Sequence, residues 1–231
     1  MIYCVICLTE VTPVFNWTYF LSKEPNFYLC DGCKQKLVPI TGECCTICNR
    51  PLIDLDAAFI YDGICHDCKR WEENPKWKGV LIQNYSLFLY NDFLKEVIAR
   101  FKYRGDYLMA GAFSIYIPKK LFHDKVAIPI PLSEVRLYER GFNQTEAILH
   151  VAGIPSTNCL TRIHSEKQSK KTRAARLEAD TVFAVENNEQ IISQDVILVD
   201  DIYTTGATLH NAALAIKEAG AKSVVSFTIA R

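Results

Sequence analysis

The sequence predicts an α/β protein in which a parallel sheet flanked by helices follows a small cysteine-rich domain. Nine of the ten cysteines lie within the first 68 residues, and eight of these nine form CxxC pairs. Beyond residue 79, short β-branched segments alternate with amphipathic ones, the pattern of βαβ units. A charged, weakly periodic stretch with tryptophan and proline separates the two parts, so we predict domains at 1–75 and 76–231.

The CxxC pairs predict bound metal. They are Cys4/Cys7, Cys30/Cys33, Cys45/Cys48 and Cys65/Cys68. We read no secretory signal at the N-terminus, so we expect the reducing cytoplasm, where paired cysteines hold metal more often than they form disulfides. Two CxxC turns supply the four thiolates of a tetrahedral site, so four pairs predict two Cys4 zinc sites. Sequential pairing is favoured, and an interleaved arrangement stays open. Cys44 and Cys159 read as small buried apolar residues.

The elements after the cysteine-rich part follow from periodicity and capping residues. Apolar and aromatic residues predict a strand over 80–90. A helix over 92–103 has its apolar residues on one face, and Asn91 or Asp92 caps it. Three further elements are a helix over 106–117, a buried strand over 126–130, and a helix over 134–151 that Ser133 caps.

The last third of the chain contains the strongest strand signal. Residues 196–199 are Val-Ile-Leu-Val, a run typical of parallel strands buried on both faces. A helix over 207–219 ends at Gly220, and a strand over 223–229 follows it. A short strand is also predicted over 182–185.

The net charge of zero conceals an uneven distribution. Residues 1–93 carry 8 Lys/Arg and 11 Asp/Glu, residues 94–176 carry 15 and 7, and residues 177–231 carry 3 and 8. The basic middle third is therefore compatible with a phosphate or nucleic-acid ligand. A composition of 49% hydrophobic and 23% charged residues excludes wholesale disorder, and no apolar run is long enough for a transmembrane helix.

The residues after the 196–199 strand carry the strongest chemical signal. Asp200 and Asp201 stand at its carboxyl end, where open α/β sheets bind ligands. A segment with three hydroxyls then starts a helix, and such a helix start binds anions. The segment consists of Thr204, Thr205, Gly206, Ala207 and Thr208. Because carboxylates accept hydrogen bonds from vicinal hydroxyls, the combination predicts a ribose 5-phosphate ligand.

The 196–208 segment resembles the phosphoribosyl pyrophosphate (PRPP) motif of type I phosphoribosyltransferases. Other segments resemble the ComF family of competence proteins, of the ComFC type: Phe101–Asp106, Pro129–Ser133 with Arg136, and Glu139–Gln144. The resemblance covers nearly the whole chain. It implies a phosphoribosyltransferase-like domain preceded by a double zinc ribbon.

The resemblance also implies roles for individual residues. The 5-phosphate of PRPP would lie on Thr204–Thr208, its diol on Asp200 and Asp201, and its pyrophosphate near Lys102, Tyr103 and Arg104, with Mg²⁺ accompanying it. Basic residues are expected to contact nucleic acid or pyrophosphate: Arg140, Lys167, Lys170, Lys171, Arg173 and Arg176. The alternative for the basic segment 162–176 is a solvated loop without a ligand.

Three functions stay open at this point. The family resemblance implies a DNA-uptake factor of natural transformation, handling incoming single-stranded DNA with a ComFA-type helicase, in the cytoplasm or recruited to the inner face of the membrane. A PRPP-dependent phosphoribosyltransferase with an unidentified acceptor is the second, and the sequence names no catalytic residue for it. The third is a protein-interaction module built on the zinc ribbons.

Overall fold

The computed structural model describes residues 2–11, 29–163 and 182–231. Its cysteine-rich segment has two short units. The first contains β1 (Ile2–Tyr3), β2 (Glu10–Val11) and α1 (Asp31–Lys36), and the second contains a 3₁₀ turn (Ala57–Phe59), β3 (Ile60–Tyr61), β4 (Ile64–Cys65) and α2 (His66–Glu73). In each unit the second CxxC pair starts the helix, with Cys30 or Cys65 as its N-cap. Both thiols of that pair therefore lie at the first helical turn.

Strands and helices alternate in the remainder of the chain. In order they are β5 (Asn84–Phe88), α3 (Asp92–Tyr103), α4 (Ala110–Ser114), β6 (Val126–Pro129), α5 (Glu134–Arg140), α6 (Gln144–Val151), β7 (Leu160–Arg162), β8 (Phe183–Val185), β9 (Asp195–Ile202), α7 (Ala207–Glu218) and β10 (Ser223–Ala230). Short 3₁₀ turns occupy Tyr107–Met109 and Lys119–Phe122. The main sheet has the order β5-β10-β9-β6, and all its pairs are parallel. The predicted α/β class is confirmed.

The predicted helix over 92–103 has the bounds of α3. The Asn91 side chain accepts a hydrogen bond from the Leu94 amide at 2.8 Å, which caps the helix. Its buried face consists of Leu94, Val97, Ile98 and Phe101. None of the described helices has both the length and the apolar composition that a membrane crossing requires.

Three predicted elements differ from the structure. The single helix over 134–151 is wrong, because Gly141 adopts a left-handed φ of 77° that ends α5, and Asn143 caps a separate α6. The helix over 106–117 is a 3₁₀ turn followed by the short α4. The strand over 182–185 exists as β8, but it pairs antiparallel with β7 outside the main sheet.

The cysteine-rich segment and the sheet share one core. Ile6 and Leu29 belong to the same buried cluster as Phe101 and Phe227. Residues 38–40 also run antiparallel beside β5: Leu89 N donates to Val38 O at 2.9 Å, and Ile40 N donates to Leu87 O at 3.0 Å. This pairing covers the outer edge of β5. The boundary predicted between residues 75 and 76 therefore divides the chain by composition, while the core includes both sides.

Candidate functional site

The eight paired cysteines form two clusters of thiols. The clusters are Cys4, Cys7, Cys30 and Cys33, and Cys45, Cys48, Cys65 and Cys68, which is the sequential grouping. Within each cluster the Sγ atoms lie within 4.8 Å of one another, with 3.5 Å between Cys7 and Cys30 and 3.6 Å between Cys48 and Cys65. Thiolates about 2.3 Å from a tetrahedral zinc are about 3.8 Å apart. Both clusters therefore have the composition and the size to hold zinc.

The two clusters differ in burial. All four cysteines of the second cluster are buried, whereas Cys7 of the first is exposed. Hydrogen bonding with Thr9 lowers the pKa of Cys7 to about 6, which favours the thiolate that binds metal. Outside the clusters, Cys159 is buried and burial raises its pKa. Cys44 is half-buried, so the expectation of a buried apolar residue describes Cys159 better.

A cleft of about 240 Å³ opens at the carboxyl end of β9. The ends of β6 and β9 meet there because the strands are parallel neighbours, and α5, α6 and α7 begin or end around it. Its polar lining consists of Lys102, Arg136, Arg140, Asn143, Gln144, Thr145, Arg162, Asp200, Asp201, Thr204 and Thr208. The apolar lining comes from Ile130, Pro131, Leu132 and Ile202. Four cationic, two acidic and three threonine residues thus line one space.

The two adjacent carboxylates have different environments. Asp201 forms an ion pair with Lys102, which reaches across from the end of α3. Asp200 is half-buried and accepts a hydrogen bond from the Asp201 amide at 2.8 Å. The pKa of Asp200 is raised to about 7. The largest cause is burial, and the negative charge of Asp201 is the second. The positive charges of Lys102 and Arg162 act in the opposite direction. Asp200 therefore exchanges a proton close to neutral pH.

The predicted phosphate loop follows directly. Gly206 has a φ of 83°, and a Cβ atom there would collide with the hydroxyl of the buried Tyr203 and lie 2.6 Å from its Cζ. The N-cap glycine gives α7 no capping side chain. Ala207 N donates to Thr205 Oγ1 at 3.4 Å, and the next first-turn amides are left for an anion. Thr204 and Thr208 line the cleft, whereas Thr205, Gly206 and Ala207 lie outside its lining.

The structure brings some of the residues predicted to contact pyrophosphate or nucleic acid to the cleft and not others. Lys102 and Arg140 line it, but Tyr103 and Arg104 are exposed and lie outside its lining. Arg140 donates to Gln144 Oε1 at 2.8 Å and lies 5.6 Å from the ring of Tyr103. The cations predicted at Lys167, Lys170, Lys171, Arg173 and Arg176 fall outside the described residues.

Several lining residues were not predicted as site residues. Arg162 comes from β7, and burial together with the charge of Arg136 lowers its pKa. Asn143, Gln144 and Thr145 start α6, where the Asn143 side chain also donates to the backbone just after β6, to Ile130 O at 3.0 Å. Two features of the sequence pointed towards these residues. One was the family-like motif over 139–144, and the other was the position of Arg162 at the start of the basic segment. Neither signal gave the positions of these side chains in the fold.

The comparisons with known proteins agree with this architecture. The phosphoribosyl transferase domain family matches residues 142–231. Competence protein ComFC of Bacillus subtilis is 38% identical, covering 99% of this chain and 94% of its own length. Competence protein ComFC of Streptococcus pneumoniae is 29% identical, covering 99% of both, and competence protein F of Haemophilus influenzae is 26% identical over 88% of this chain and 90% of its own.

The parallel sheet, the cleft beside β9 and the domain match define a phosphoribosyltransferase-like protein with a cysteine-rich N-terminal segment. The likeness to the Bacillus subtilis relative extends over both parts. The chain belongs to the ComFC family of competence proteins.

Proposed function

We propose that this protein acts in natural transformation, handling incoming single-stranded DNA, and that its cleft binds a 5-phosphorylated ribose such as PRPP. One observation supports the ligand: Asp200, Thr204 and Thr208 line the same cleft as three arginines, Arg136, Arg140 and Arg162. The names of the competence-protein relatives support the biological role.

The chemistry of the cleft favours ribose over deoxyribose. A carboxylate accepts hydrogen bonds from both hydroxyls of a vicinal diol, and a deoxyribose lacks the 2-hydroxyl. The loop at Thr204–Thr208 suits the 5-phosphate, since first-turn amides and hydroxyls donate to phosphate oxygens. We therefore assign the sugar phosphate to the cleft. Phosphates of a DNA strand would contact Arg136 and Arg140 at its wall, together with the basic segment 162–176.

Calorimetry with sugar phosphates tests this assignment. Ribose 5-phosphate should bind more tightly than 2-deoxyribose 5-phosphate, and Asp200→Asn should remove most of that difference because the amide accepts fewer hydrogen bonds. A Thr208→Val variant should weaken both ligands together, because it removes a phosphate donor. Equal affinities for the two sugars in the wild-type protein would refute the diol assignment.

A second candidate function is phosphoribosyl transfer, a glycosyltransferase reaction. Lys102, Arg140 and Arg162 line the cleft that would hold the sugar, and such cations stabilise a departing pyrophosphate. Mg²⁺ bound to the pyrophosphate oxygens of PRPP would neutralise further charge. Release of pyrophosphate from PRPP and Mg²⁺ is the measurement, with bases, nucleosides and DNA ends as acceptors. If PRPP binds but no acceptor causes it to release pyrophosphate, the cleft has a binding role only.

The clusters support a structural role for zinc, and we assign one ion to each. A ComFA-type helicase is the partner we propose, docking on the acidic cysteine-rich segment. Co-purification of the two full-length proteins, with and without charge-reversal of exposed acids such as Asp54 and Asp56, tests this docking. Unchanged association in the reversed variant would move the interface elsewhere.

A further inference from the structure

We propose that the second cysteine cluster positions the phosphate loop through Arg231 and Trp71, so that metal binding and sugar-phosphate binding reinforce each other. The inference rests on the proposed ribose-phosphate ligand and adds two positioning residues outside the cleft. Neither residue lines the cleft.

Arg231 connects the cluster to the loop with one guanidinium group. Its Nη2 donates to Cys48 Sγ at 3.1 Å, and its Nη1 donates to Thr204 O at 2.8 Å and to Tyr203 O at 3.2 Å. The guanidinium carbon also lies 4.8 Å from the centre of the Tyr203 ring. A hydrogen bond from a charged group to a metal-bound thiolate fixes the orientation of both partners. The guanidinium position therefore depends on Cys48 being held as a thiolate.

Trp71 makes the second connection. It lies on α2, the helix that also carries Cys68, and its indole Nε1 donates to Thr205 O at 3.1 Å. The indole stacks on the ring of His210, with centroids 4.0 Å apart and planes 9° from parallel. His210 is fully buried, and its Nδ1 lies 3.0 Å from Gly206 O. Burial lowers the pKa of His210 to about 4, so the ring is neutral at pH 7 and donates from Nδ1 to this carbonyl.

Four consecutive loop carbonyls thus accept hydrogen bonds from side chains. Arg231 holds those of Tyr203 and Thr204, Trp71 holds that of Thr205, and His210 holds that of Gly206. In a trans peptide the carbonyl and the following N–H point in opposite directions. Fixing the carbonyls of residues 203–205 therefore directs the amides of residues 204–206 away from Arg231 and Trp71, as a backbone anion site requires.

This arrangement links two binding equilibria. A metal that orders Cys48 and α2 removes loop conformations that cannot bind phosphate, so it raises the affinity for the sugar phosphate. By reciprocity, bound sugar phosphate raises the affinity of the second cluster for its metal by the same factor. The first cluster provides an internal comparison, because its cysteines have no described contact with residues 203–206.

Metal release from the full-length zinc protein tests the inference. In an equilibrium competition with a chromogenic chelator, the zinc affinity of one of the two clusters should be about fivefold or more higher when ribose 5-phosphate saturates the protein. The zinc affinity of the other cluster should be unchanged. Arg231→Gln and Trp71→Phe should each reduce this gain in zinc affinity and weaken ribose 5-phosphate binding by about tenfold. Arg50→Gln is the matched control, since Arg50 lies in the same ribbon but pairs with Asp67 at 3.0 Å.

Amide hydrogen exchange of residues 203–208 provides a readout independent of affinity. Exchange should increase in Arg231→Gln and remain at the wild-type rate in Arg50→Gln, with unchanged near-ultraviolet circular dichroism to confirm folding. The coupling alone would be overturned by two results together. The wild-type protein would bind ribose 5-phosphate without retaining either metal more tightly, and Arg231→Gln would bind ribose 5-phosphate with wild-type affinity. Absence of wild-type binding would overturn both the coupling and the proposed function.

Discussion

Lys102 forms its ion pair with Asp201 and leaves Asp200, the adjacent carboxylate, without an ion pair among the described residues. The two side chains follow one another on β9, yet only Asp201 has a cation in direct contact. Because the pKa of Asp200 is raised to about 7, its ionisation is open to a bound ligand or to a change of pH near neutrality.

Asp200→Asn should stabilise the protein above neutral pH. The pKa of Asp200 is raised from 3.8 to about 7 in the folded protein, so the folded state holds a proton that the unfolded chain has lost. This group therefore lowers wild-type stability as pH rises through that interval. The variant lacks the penalty and should gain up to about 4 kcal/mol relative to wild type at pH 8.

Urea unfolding at pH 5 and pH 8 measures this difference. Asp195→Asn, at the other end of β9, is the control: Lys222 and Ser223 lower the pKa of Asp195, so its ionisation is complete in both states over this range. Its stability difference from wild type should be the same at both pH values. A pH-independent effect of Asp200→Asn would contradict the raised pKa.

Gly206→Ala should damage both stability and sugar-phosphate binding. The left-handed φ of 83° and the collision with Tyr203 act together, and we expect a loss of more than about 1 kcal/mol in unfolding free energy. Gly153→Ala separates the two causes, because Gly153 has a φ of 69° with no atom within 4 Å of an added Cβ. If the loss of unfolding free energy is no greater at Gly206 than at Gly153, the Tyr203 side chain moves to make room for the added Cβ.

Arg140→Gln should reduce the salt dependence of single-stranded DNA binding. Removing one cation that binds a phosphate of the strand lowers the slope of log K against log salt by about 0.7. Fluorescence anisotropy with a labelled oligonucleotide at several salt concentrations gives the slope. Lys222→Gln makes the same charge change at the amino end of β10, opposite the cleft, and should leave the slope unchanged. An equal slope change in both variants would mean that Arg140 makes no specific contact with a DNA phosphate.

Cys45→Ser should release metal and destabilise the whole chain, while the neighbouring substitution Cys44→Ser should do neither. Cys45 belongs to the second cluster and Cys44 to neither. Because this cluster packs in one core with Ile128 and Leu198 of the sheet, we expect one cooperative transition at a lower temperature rather than separate melting of a ribbon. Metal analysis and calorimetry provide the measurements. Two resolved transitions would mean that the shared core does not couple the parts.

Sequence reasoning predicted what depends on local pattern. The CxxC spacing predicted the cysteine groups, the apolar periodicity with Asn91 predicted α3, and the Val-Ile-Leu-Val run predicted the strand that carries Asp200. It was wrong where a single residue redirects the backbone: the left-handed Gly141 splits a helix whose two halves both have helical propensity. A glycine in a helical pattern signals a C-cap only when the chain turns there, and packing decides whether it does.

The positions of distant side chains required the fold. Arg162 enters the cleft because β7 pairs with β8 beside the sheet, and no local pattern encodes that position. The contacts of Arg231 with Cys48 and Thr204 join residues far apart in the sequence. Composition and spacing therefore predicted the cysteine clusters and the 200–208 motif separately, and only the tertiary structure showed that the second cluster adjoins this motif.

The strand order β5-β10-β9-β6 has a consequence for synthesis on the ribosome. β5 and β6 emerge first but are not neighbours, and both central strands that join them are made afterwards. A nascent chain thus holds two strands without their central partners until β9 and β10 are made, a state prone to aggregation. Residues 38–40 precede β5 and already shield one of its edges. The cysteine-rich segment therefore gives β5 an early folded surface on which to pack before β9 and β10 are made.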